Sequence, residues 1–359
     1  MSAAFGNDPA KINRYHDFWN RRHTKRPLIG FSLTGWFPSR EFAALRRLPL
    51  ESILEPCEIQ PSDFLADHHR LLKEGEIVED DLIRGACPAQ GAIPWSAGFL
   101  GCRIRVLPDT LLGEERCLGW EQAMQVRLDH TNAWWQKYLE FAHALVVASQ
   151  GSFPVSHSPE LGPSDLFALL RGHTQSILDL HDEPAHAERL FWRLAEFFED
   201  FTRSLWSRLP RFAGGWFDAQ YSLWAPGPIA RLQEDATANY SPALYRRYLL
   251  PIDRKLAAAF THSFMHLHST SMHLLDAFLE IEQLLCFQIN LDVGGPPLKR
   301  MLGYFQRVQA ANRALVIRGA MQPPELSWLL DRLECRGLFL LLMVDSLTAV
   351  EQLRRCVGM

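Results

Sequence analysis

The chain has 359 residues, of which 47% are apolar and 22% charged, a composition typical of a folded globular protein rather than a disordered or fibrous one. Its formal charge is -4, and no lysine/arginine run resembles a nucleic-acid footprint, so we expect a small-molecule substrate and no nucleic-acid partner. No window reaches the roughly 20 apolar residues of a membrane span and the N-terminus lacks a signal-peptide pattern, which predicts no membrane partner and a cytoplasmic location.

The cysteines are odd in number and scattered along the chain. The seven are Cys57, Cys87, Cys102, Cys117, Cys286, Cys335 and Cys356. Because no two of them form a Cys-x-x-Cys pair, the pattern argues against a disulfide framework and against a thiolate zinc knuckle.

The predicted strands begin at 26–33 and become regular in the second half of the chain. Residues about 35–125 contain the proline- and glycine-rich stretch ACPAQGAIPWSAGFLGCRIRV, which predicts a lobe inserted into a single domain spanning residues 1–359. From about residue 150 onward, short apolar runs alternate with amphipathic segments. The further predicted strands are 153–158, 213–219, 262–268, 285–291, 314–318 and 337–344.

Helices are predicted between these strands. Residues 185–209 carry large apolar side chains at spacings of three and four, which predicts a helix with one core-facing stripe. Ser241 and Pro242 are the residue types preferred at an N-cap and at the first helical position. The pair 323–324, both proline, predicts the start of another helix, and Gly337 its end.

The alternation of strand and helix, with nearly continuous apolar strands, predicts a parallel sheet covered by helices. The number of units favours an α/β fold of the (β/α)8 TIM-barrel type with an N-terminal elaboration. An open doubly wound sheet is the alternative, although the GxGxxG fingerprint of dinucleotide-binding members is absent. In a barrel, functional side chains lie at the C-terminal ends of the strands.

A histidine-rich segment, FMHLHSTSMH, lies where the strand at 262–268 gives way to a helical pattern. His266 and His268 are two residues apart, so their side chains point to the same face of the strand. Two imidazoles so placed could bind a divalent ion, and they could equally be structural histidines bonded to neighbouring carboxylates or carbonyls. The sequence leaves both interpretations open.

Other polar residues at strand ends are candidates for the same pocket. His157 and Glu160 have the residue types of an acid–base pair near neutral pH, and solvated loop residues are the alternative. Asp218 is a predicted catalytic residue at the end of the next strand. The predicted substrate contacts are Tyr221 and Trp224 as an apolar wall, Gln288 and Asn290 on one strand face, and Arg318 as an anion clamp.

Four segments, taken in order, resemble one known family. GPSDLFALLRGHTQSILDLHDEP (162–184), SPALYRRYLLP (241–251), FMHLHSTSMHLLDAFLEIEQLLCFQINLD (264–292) and FQRVQAANRALVIRG (305–319) resemble the uroporphyrinogen decarboxylase superfamily. The resemblance covers the chain from about residue 150 and implies the barrel fold. Since the superfamily includes decarboxylases as well as zinc-dependent methyltransferases that act with corrinoid proteins or thiols, the fold implies more than one chemistry.

The resemblance also implies a metal site from which this chain departs. In the methyltransferase branch a strand ends in His-x-Cys, and a second cysteine near the last strand completes the zinc site. Here His266 matches the histidine, whereas His268 and either Val344 or Asp345 stand where the cysteines are expected. Asp235 matches a carboxylate that faces the pocket in the family. Two imidazoles and a carboxylate remain an acceptable zinc ligand set.

Three functions follow from these expectations. The first is transfer of a methyl group from a small substrate to a thiol or to a corrinoid carried by a partner protein, with a divalent ion, zinc first, at His266 and His268. The second is a metal-free decarboxylase or lyase for a small carboxylated substrate, with His157, His268 and Asp235 as acid–base groups, and the third is a non-catalytic small-molecule binding protein. A tetrapyrrole substrate is disfavoured because NRRHTKRP lacks the family's arginine-loop context. The predicted pocket comprises His157, Asp218, Asp235, His266, His268 and Gln288.

Overall fold

The computed structural model of the chain describes residues 4–33 and 38–359, so residues 35–37 of the predicted lobe lie outside the described ranges. The strands are β1 (Leu28–Ser32), β2 (Ile53–Leu54), β3 (Ile104–Val106), β4 (Leu111–Gly113), β5 (Trp216–Asp218), β6 (Leu223–Ala225), β7 (Ile229–Gln233), β8 (His262–Leu267), β9 (Leu284–Asn290), β10 (Ala314–Gly319) and β11 (Leu338–Met343).

The α-helices are α1 (Ile12–Trp19), α2 (Ala43–Arg46), α3 (Ser62–Leu72), α4 (Glu74–Ile77), α5 (Trp95–Phe99), α6 (Trp120–Ala123), α7 (Ala133–Ser149), α8 (Pro163–Arg171), α9 (His173–Asp182), α10 (Pro184–Trp206), α11 (Pro242–Tyr248), α12 (Leu250–Ala259), α13 (Leu275–Leu279), α14 (Leu298–Ala310), α15 (Pro323–Leu330) and α16 (Leu347–Cys356). Short 3₁₀ helices occupy Ala4–Gly6, Pro9–Lys11, Pro38–Glu41, Pro56–Glu58, Pro88–Gly91, Asp235–Asn239 and Ser269–Leu274. Within the described ranges, none of the helices has the length and apolarity that crossing a membrane requires.

Six strands pair into one parallel sheet in the order β1-β11-β10-β9-β8-β7. Helices α13, α14 and α15 each connect two consecutive strands of this sheet, as parallel pairing requires. The predicted α/β class is therefore confirmed. Closure into an eight-stranded barrel stays a prediction, since six strands pair in this sheet among the described residues.

Two further segments lie beside β1, at the edge of the parallel sheet. The first contains Asp81 and Ala86, and the second contains Val155. The Asp81 amide donates to the Ile29 carbonyl over 3.0 Å, which places the first segment against β1. Ala86 and Val155 form a parallel bridge, which places the second segment beside the first. The predicted strand at 153–158 thus appears as a single bridge rather than as a regular strand.

The predicted strand at 213–219 has a different partner from the one expected. Its central residues form β5, which pairs antiparallel with β6 in a separate two-stranded sheet, and β7 takes the place in the parallel sheet. Sequence analysis missed β7 because Arg231 and Gln233 interrupt the apolar run that is typical of a buried parallel strand.

The helix predictions are largely confirmed. The apolar stripe at 185–209 forms α10, and the Ser241 hydroxyl accepts from the Leu244 amide at the start of α11. Helix α15 begins at Pro323 as predicted but ends at Leu330, so Gly337 does not close it. Gly337 instead has a φ of 64° in the turn that leads into β11, a conformation that favours glycine.

Residues of the N-terminal region add a small antiparallel sheet, β2-β3-β4, and several short helices. This sheet pairs through Ile53 with Arg105 and through Ile104 with Gly113. Helices α2 and α3 approach the C-terminal end of β1, where Phe31 and Phe42 both line one pocket.

Alternate residues of the parallel strands enter two different apolar cores. Met265, Phe287 and Leu315 belong to the larger core with the covering helices, whereas their neighbours Phe264, Cys286 and Val316 pack with α1 and the β5–β6 hairpin. The face that packs against α1 turns polar two residues further along each strand. This polar section, at the C-terminal ends of β8, β9 and β10, carries the candidate site.

Candidate active site

Two histidines and an aspartate meet at the C-terminal ends of β7 and β8. Asp235 follows β7, and His266 and His268 lie on and just after β8. One ligand atom of each residue lies within 4.8 Å of the other two, and in the described ranges no other group of histidine, cysteine and acidic residues meets that distance. We call these three residues the His-His-Asp cluster. The side chains of His268 and Asp235 are 37% and 36% exposed, so the cluster is open to solvent.

Two polar side chains contact the Nδ1 atom of His266 and orient its ring. Its Nδ1 atom lies 2.8 Å from the Tyr221 hydroxyl and also contacts the Gln288 Oε1 atom. Because an amide oxygen only accepts, Nδ1 carries the proton and Nε2 keeps its lone pair. The Gln288 amide group in turn donates to Asn290 Oδ1 over 3.0 Å, which fixes its orientation. Burial lowers the pKa of His266 well below its ordinary value, with the charge of His268 adding to the effect, so the ring is neutral.

His268 is oriented by a second carboxylate. Its Nδ1 atom donates to Asp292 Oδ1 over 2.6 Å, and the other Asp292 oxygen accepts from the amide and the hydroxyl of Ser269. Its Nε2 atom faces Asp235 Oδ2 at 3.9 Å. The hydrogen bond to Asp292 raises the pKa of His268. Burial tends to raise the pKa of Asp292, but the hydrogen bonds from His268 and Ser269 outweigh it and lower the pKa to about 2.

The turn that carries Asp235 is fixed by a residue from a different helix. Asp165, at the start of α8, accepts from the amides of Asp235 over 3.2 Å and of Ala236 over 2.8 Å. The Gln233 side chain also donates to Asp235 Oδ2 over 2.7 Å. Burial raises the pKa of Asp235, while the charges of His268 and Arg231 act in the opposite direction. The carboxylate therefore has a set position before any ligand binds.

The chemistry of the cluster fits a divalent cation. Two imidazole nitrogens and one carboxylate oxygen form an accepted zinc ligand set, and three protein ligands leave a position for a substrate atom. The contacts of Asp292 to His268 and of Gln288 to His266 are the kind of support that metal-binding histidines usually have. Asp345 is not part of the cluster. Its carboxylate accepts from the Ser346 hydroxyl over 3.0 Å, and it is Ser346 that caps α16.

The structure places His157 and Asp218 in a separate small cavity, which we call the His157 cavity. Glu160 and Arg231 also line it. The His157 ring packs against Phe201 and Trp206, and no described side chain accepts from its nitrogens, which lie near the Thr202 backbone. The single pocket predicted from the sequence is therefore divided: His157 and Asp218 line this cavity, whereas Asp235, His266 and His268 form the His-His-Asp cluster.

The residues predicted to contact substrate lie in different parts of the structure. Tyr221 reaches the cluster, but as a hydrogen-bond partner of His266 rather than as an apolar wall. Gln288 and Asn290 are buried behind His266. Trp224 is at the opposite end of the sheet, where it packs against Tyr15 and His16 of α1 and donates from its indole to the Phe212 carbonyl. Its large apolar ring closes the core there. Arg318 lines a pocket between the sheet and the N-terminal helices.

Sequence reasoning missed the residues that hold the cluster in place. Asp292 follows the predicted strand at 285–291, and the sequence singles it out by its alternation with Gln288 and Asn290 ahead of two glycines, but its role as the hydrogen-bond partner of His268 was not predicted. Asp165 lies 70 residues before Asp235, and only the fold brings the two together. Arg231 gave no signal because β7 was not predicted.

Comparison with known proteins finds matches among solved structures. No protein-family model and no curated protein sequence matches the chain. A solved methyltransferase from Methanosarcina mazei superposes with a TM-score of 0.64 at 12% sequence identity, and the match covers 96% of each chain. At this identity the similarity establishes a shared fold and leaves the function open.

Proposed function

We propose that this protein is an enzyme that binds a divalent ion, zinc first, through Asp235, His266 and His268, and transfers a methyl group from a small substrate to a thiol or corrinoid acceptor. A fold shared with a methyltransferase over nearly the whole chain supports the reaction class. A corrinoid would arrive on a partner protein. We further propose that the chain belongs to the uroporphyrinogen decarboxylase superfamily and that the segments around Asp81 and Val155 complete an eight-stranded barrel.

The observation that carries the proposal is the orientation of the two imidazoles. Both Nδ1 atoms are committed, to Gln288 and to Asp292, which leaves the Nε2 lone pairs for a ligand, and the Nε2 atom of His268 faces Asp235. A bound divalent ion would supply positive charge that lowers the pKa of a nucleophilic acceptor. His266, His268 and Asp235 would hold the ion, and Asp292 and Gln288 would keep the rings in the metal-binding tautomer. His157 and Asp218 have no part in this scheme.

A metal-free acid–base function is the second candidate, and one observation favours it. The raised pKa of His268 increases its protonated fraction near neutral pH, beside the carboxylate of Asp235. An imidazolium and a carboxylate so placed could serve a lyase or decarboxylase as acid and base. The same arrangement without turnover would suit a small-molecule binding protein. Metal dependence separates the first candidate from these two.

The proposal can be tested with protein purified without a histidine tag. Metal content is measured first, and methyl transfer is then assayed with a panel of small methylated amines, thiols and ethers as donors. Free reduced cobalamin and a small thiol serve as acceptors, and formation of the methyl–cobalt bond is followed by its absorbance. We expect the wild type to contain zinc and to transfer methyl groups, and Asp235→Asn to lose both properties. Turnover that persists in metal-free protein would contradict the proposal.

A further inference from the structure

A second cavity lies at the same end of the sheet as the His-His-Asp cluster, between strands β1, β10 and β11 and the N-terminal helices. We call it the lobe pocket, and its volume is about 110 Å³. Its apolar wall consists of Phe31, Phe42, Leu71, Leu72, Leu82 and Leu341. Since an apolar cavity of roughly 150 Å³ holds a benzene molecule, the lobe pocket has room for about four to five non-hydrogen atoms.

Three polar side chains of the lobe pocket are not committed to other protein groups. The Gln220 amide and the Ser222 hydroxyl line the pocket and have no hydrogen-bond partner among the described residues. His68 is almost fully buried, and its Nε2 atom also has no partner in the described part of the chain. Because buried polar groups are commonly satisfied by water or ligand, these side chains favour a ligand that makes hydrogen bonds.

Two arginines line the lobe pocket, and both are engaged. Arg84 donates two hydrogen bonds of 2.9 Å to Asp80. Arg318 does not lack a partner either, and the Tyr221 phenol and Asp292 act on its guanidinium. The positive charges of the pocket are therefore compensated within the protein.

Two glutamates also line the lobe pocket, so the formal charges of its acidic and basic residues cancel. Glu41 pairs with Arg70 at 3.1 Å, and Glu74 accepts from the Leu33 amide over 3.3 Å. His68 adds no charge at neutral pH, because burial lowers the pKa of its ring to about 3. An ion that entered this pocket would lose its hydration and gain no unpaired counter-charge in return.

We propose that the lobe pocket binds the methyl donor of this enzyme, and that the donor is an uncharged molecule of about four to five non-hydrogen atoms whose methyl group is carried by oxygen or sulfur. The assignment of the ligand as donor rests on the proposed function, whereas the binding site itself does not. In the transfer, the acceptor thiolate or reduced corrinoid forms a bond to the methyl carbon as the methyl–oxygen or methyl–sulfur bond breaks. The bonding pair stays on the leaving oxygen or sulfur, which takes one proton from solvent.

Tyr221 connects the lobe pocket with the His-His-Asp cluster. It lies between the pocket residues Gln220 and Ser222 in the chain, and its hydroxyl is 2.8 Å from His266 Nδ1. In the sheet, β9 alone separates β10, which lines the pocket through Arg318, from β8, which carries His266. A donor in the lobe pocket is therefore at the same end of the sheet as the proposed divalent ion.

The test measures binding to metal-free full-length protein by ligand-observed NMR titration. Isopropanol is the uncharged probe, and trimethylammonium and acetate are a cation and an anion with the same number of non-hydrogen atoms. Benzyl alcohol is the larger uncharged probe. Wild-type protein should bind isopropanol about tenfold more tightly than either ion, roughly 1.4 kcal/mol, and should bind benzyl alcohol less tightly in spite of its larger apolar surface.

Variants of two lining residues test the size and the polarity of the pocket separately. Leu71→Trp narrows the pocket from the side of α3 and should abolish isopropanol binding, whereas Leu71→Ala enlarges it and should make benzyl alcohol the tighter ligand. Gln220→Leu removes a hydrogen-bonding group at similar volume and should weaken isopropanol binding about fivefold. Leu178→Ala is the control, because Leu178 is an exposed leucine of α9, and this variant should bind like the wild type.

The proposal is overturned if isopropanol shows no saturable binding, if either ion binds as tightly, if the wild type prefers benzyl alcohol, or if Leu71→Trp behaves like Leu178→Ala. Methyl transfer from dimethyl sulfide and dimethyl ether is assayed separately on zinc-loaded protein. Isopropanol binding without transfer would reject the proposed function and leave the pocket in place. Transfer without isopropanol binding would reject the pocket and leave the function in place.

Discussion

Two polar clusters in this protein differ in the hydrogen bonding of their histidine rings. In the His-His-Asp cluster each imidazole has a partner on Nδ1, and the cluster reaches solvent. In the His157 cavity the ring of His157 packs against Phe201 and Trp206, and its nitrogens have no side-chain partner among the described residues. The first arrangement leaves one lone pair on each ring for a ligand. The second only lowers the stability of the folded state, because it buries a polar ring.

The comparison teaches that the orientation of a histidine, more than its proximity to a carboxylate, separates a ligand site from a structural site. His157 lies in a cavity with Glu160 and Asp218, and acidic neighbours alone therefore do not distinguish the two clusters. What differs is the side-chain acceptor on Nδ1, which is Gln288 for His266 and Asp292 for His268, whereas the His157 ring has only backbone, that of Thr202, as a hydrogen-bonding neighbour among the described residues. The predictions that follow test this difference, beginning with the largest expected effect.

The stability of the protein at acid pH should depend on His157. Burial lowers its pKa to about 3, below the unfolded value of 6.5, so the unfolded state binds more protons between these values. Stability is therefore fully present above the unfolded pKa and is lost as pH falls toward the folded pKa. For this one group the loss by about pH 4 is on the order of 3 kcal/mol.

The measurement compares wild type with His157→Leu by chemical denaturation from neutral to acid pH. The variant should lose less stability over this range, since leucine does not titrate. His143→Leu serves as the control, because His143 is an exposed residue of α7. Parallel pH profiles for the wild type and His157→Leu would show that His157 is not buried as a neutral ring.

Replacement of a cluster histidine should have its main effect on the metal. His266→Ala should weaken zinc binding by more than about a hundredfold, roughly 2.7 kcal/mol, because it removes a direct ligand. His262→Ala is the matched control on the same strand, since His262 lies at the start of β8 against Trp19. Zinc affinity is measured by competition with a chromophoric chelator. Equal affinity of the two variants would exclude His266 as a ligand.

A smaller effect is expected from the residue that fixes the Asp235 turn. Asp165→Asn replaces a carboxylate that accepts from two amides, and we expect zinc affinity to fall by about tenfold. The absorption spectrum of the cobalt-substituted protein should shift, because the geometry of the third ligand changes. Asp179→Asn removes a buried carboxylate that pairs with Arg171 and should leave the spectrum unchanged. Identical cobalt spectra for Asp165→Asn and wild type would contradict the positioning role.

The sequence predicted those parts of the fold that depend on local pattern. The apolar stripe of α10 follows from spacing alone, and the placement of His266 and His268 on one side follows from strand alternation. The parallel α/β class follows from the alternation of apolar runs with amphipathic helices. These features need no knowledge of distant contacts.

The rest depends on contacts between distant segments. Grouping His157 with Asp235 failed because His157 lines a cavity with Arg231 of the unpredicted strand β7, whereas Asp235 meets His266 and His268. Trp224 is a residue type typical of pocket walls. It lies at the other end of the sheet because it packs against α1, which is about 200 residues earlier in the chain. Asp165 is likewise connected to the site only through tertiary hydrogen bonds.

The central claim is that His266, His268 and Asp235 bind a divalent ion, and zinc titration of His268 variants tests it most directly. Untagged wild-type protein, His268→Ala and His268→Cys are stripped of metal, titrated with zinc and examined for folding by circular dichroism. The account predicts one tight zinc ion in the wild type, loss of that ion in His268→Ala, and retained or increased affinity in His268→Cys because thiolate is a good zinc ligand. Equal and negligible zinc binding by all three folded proteins would contradict it.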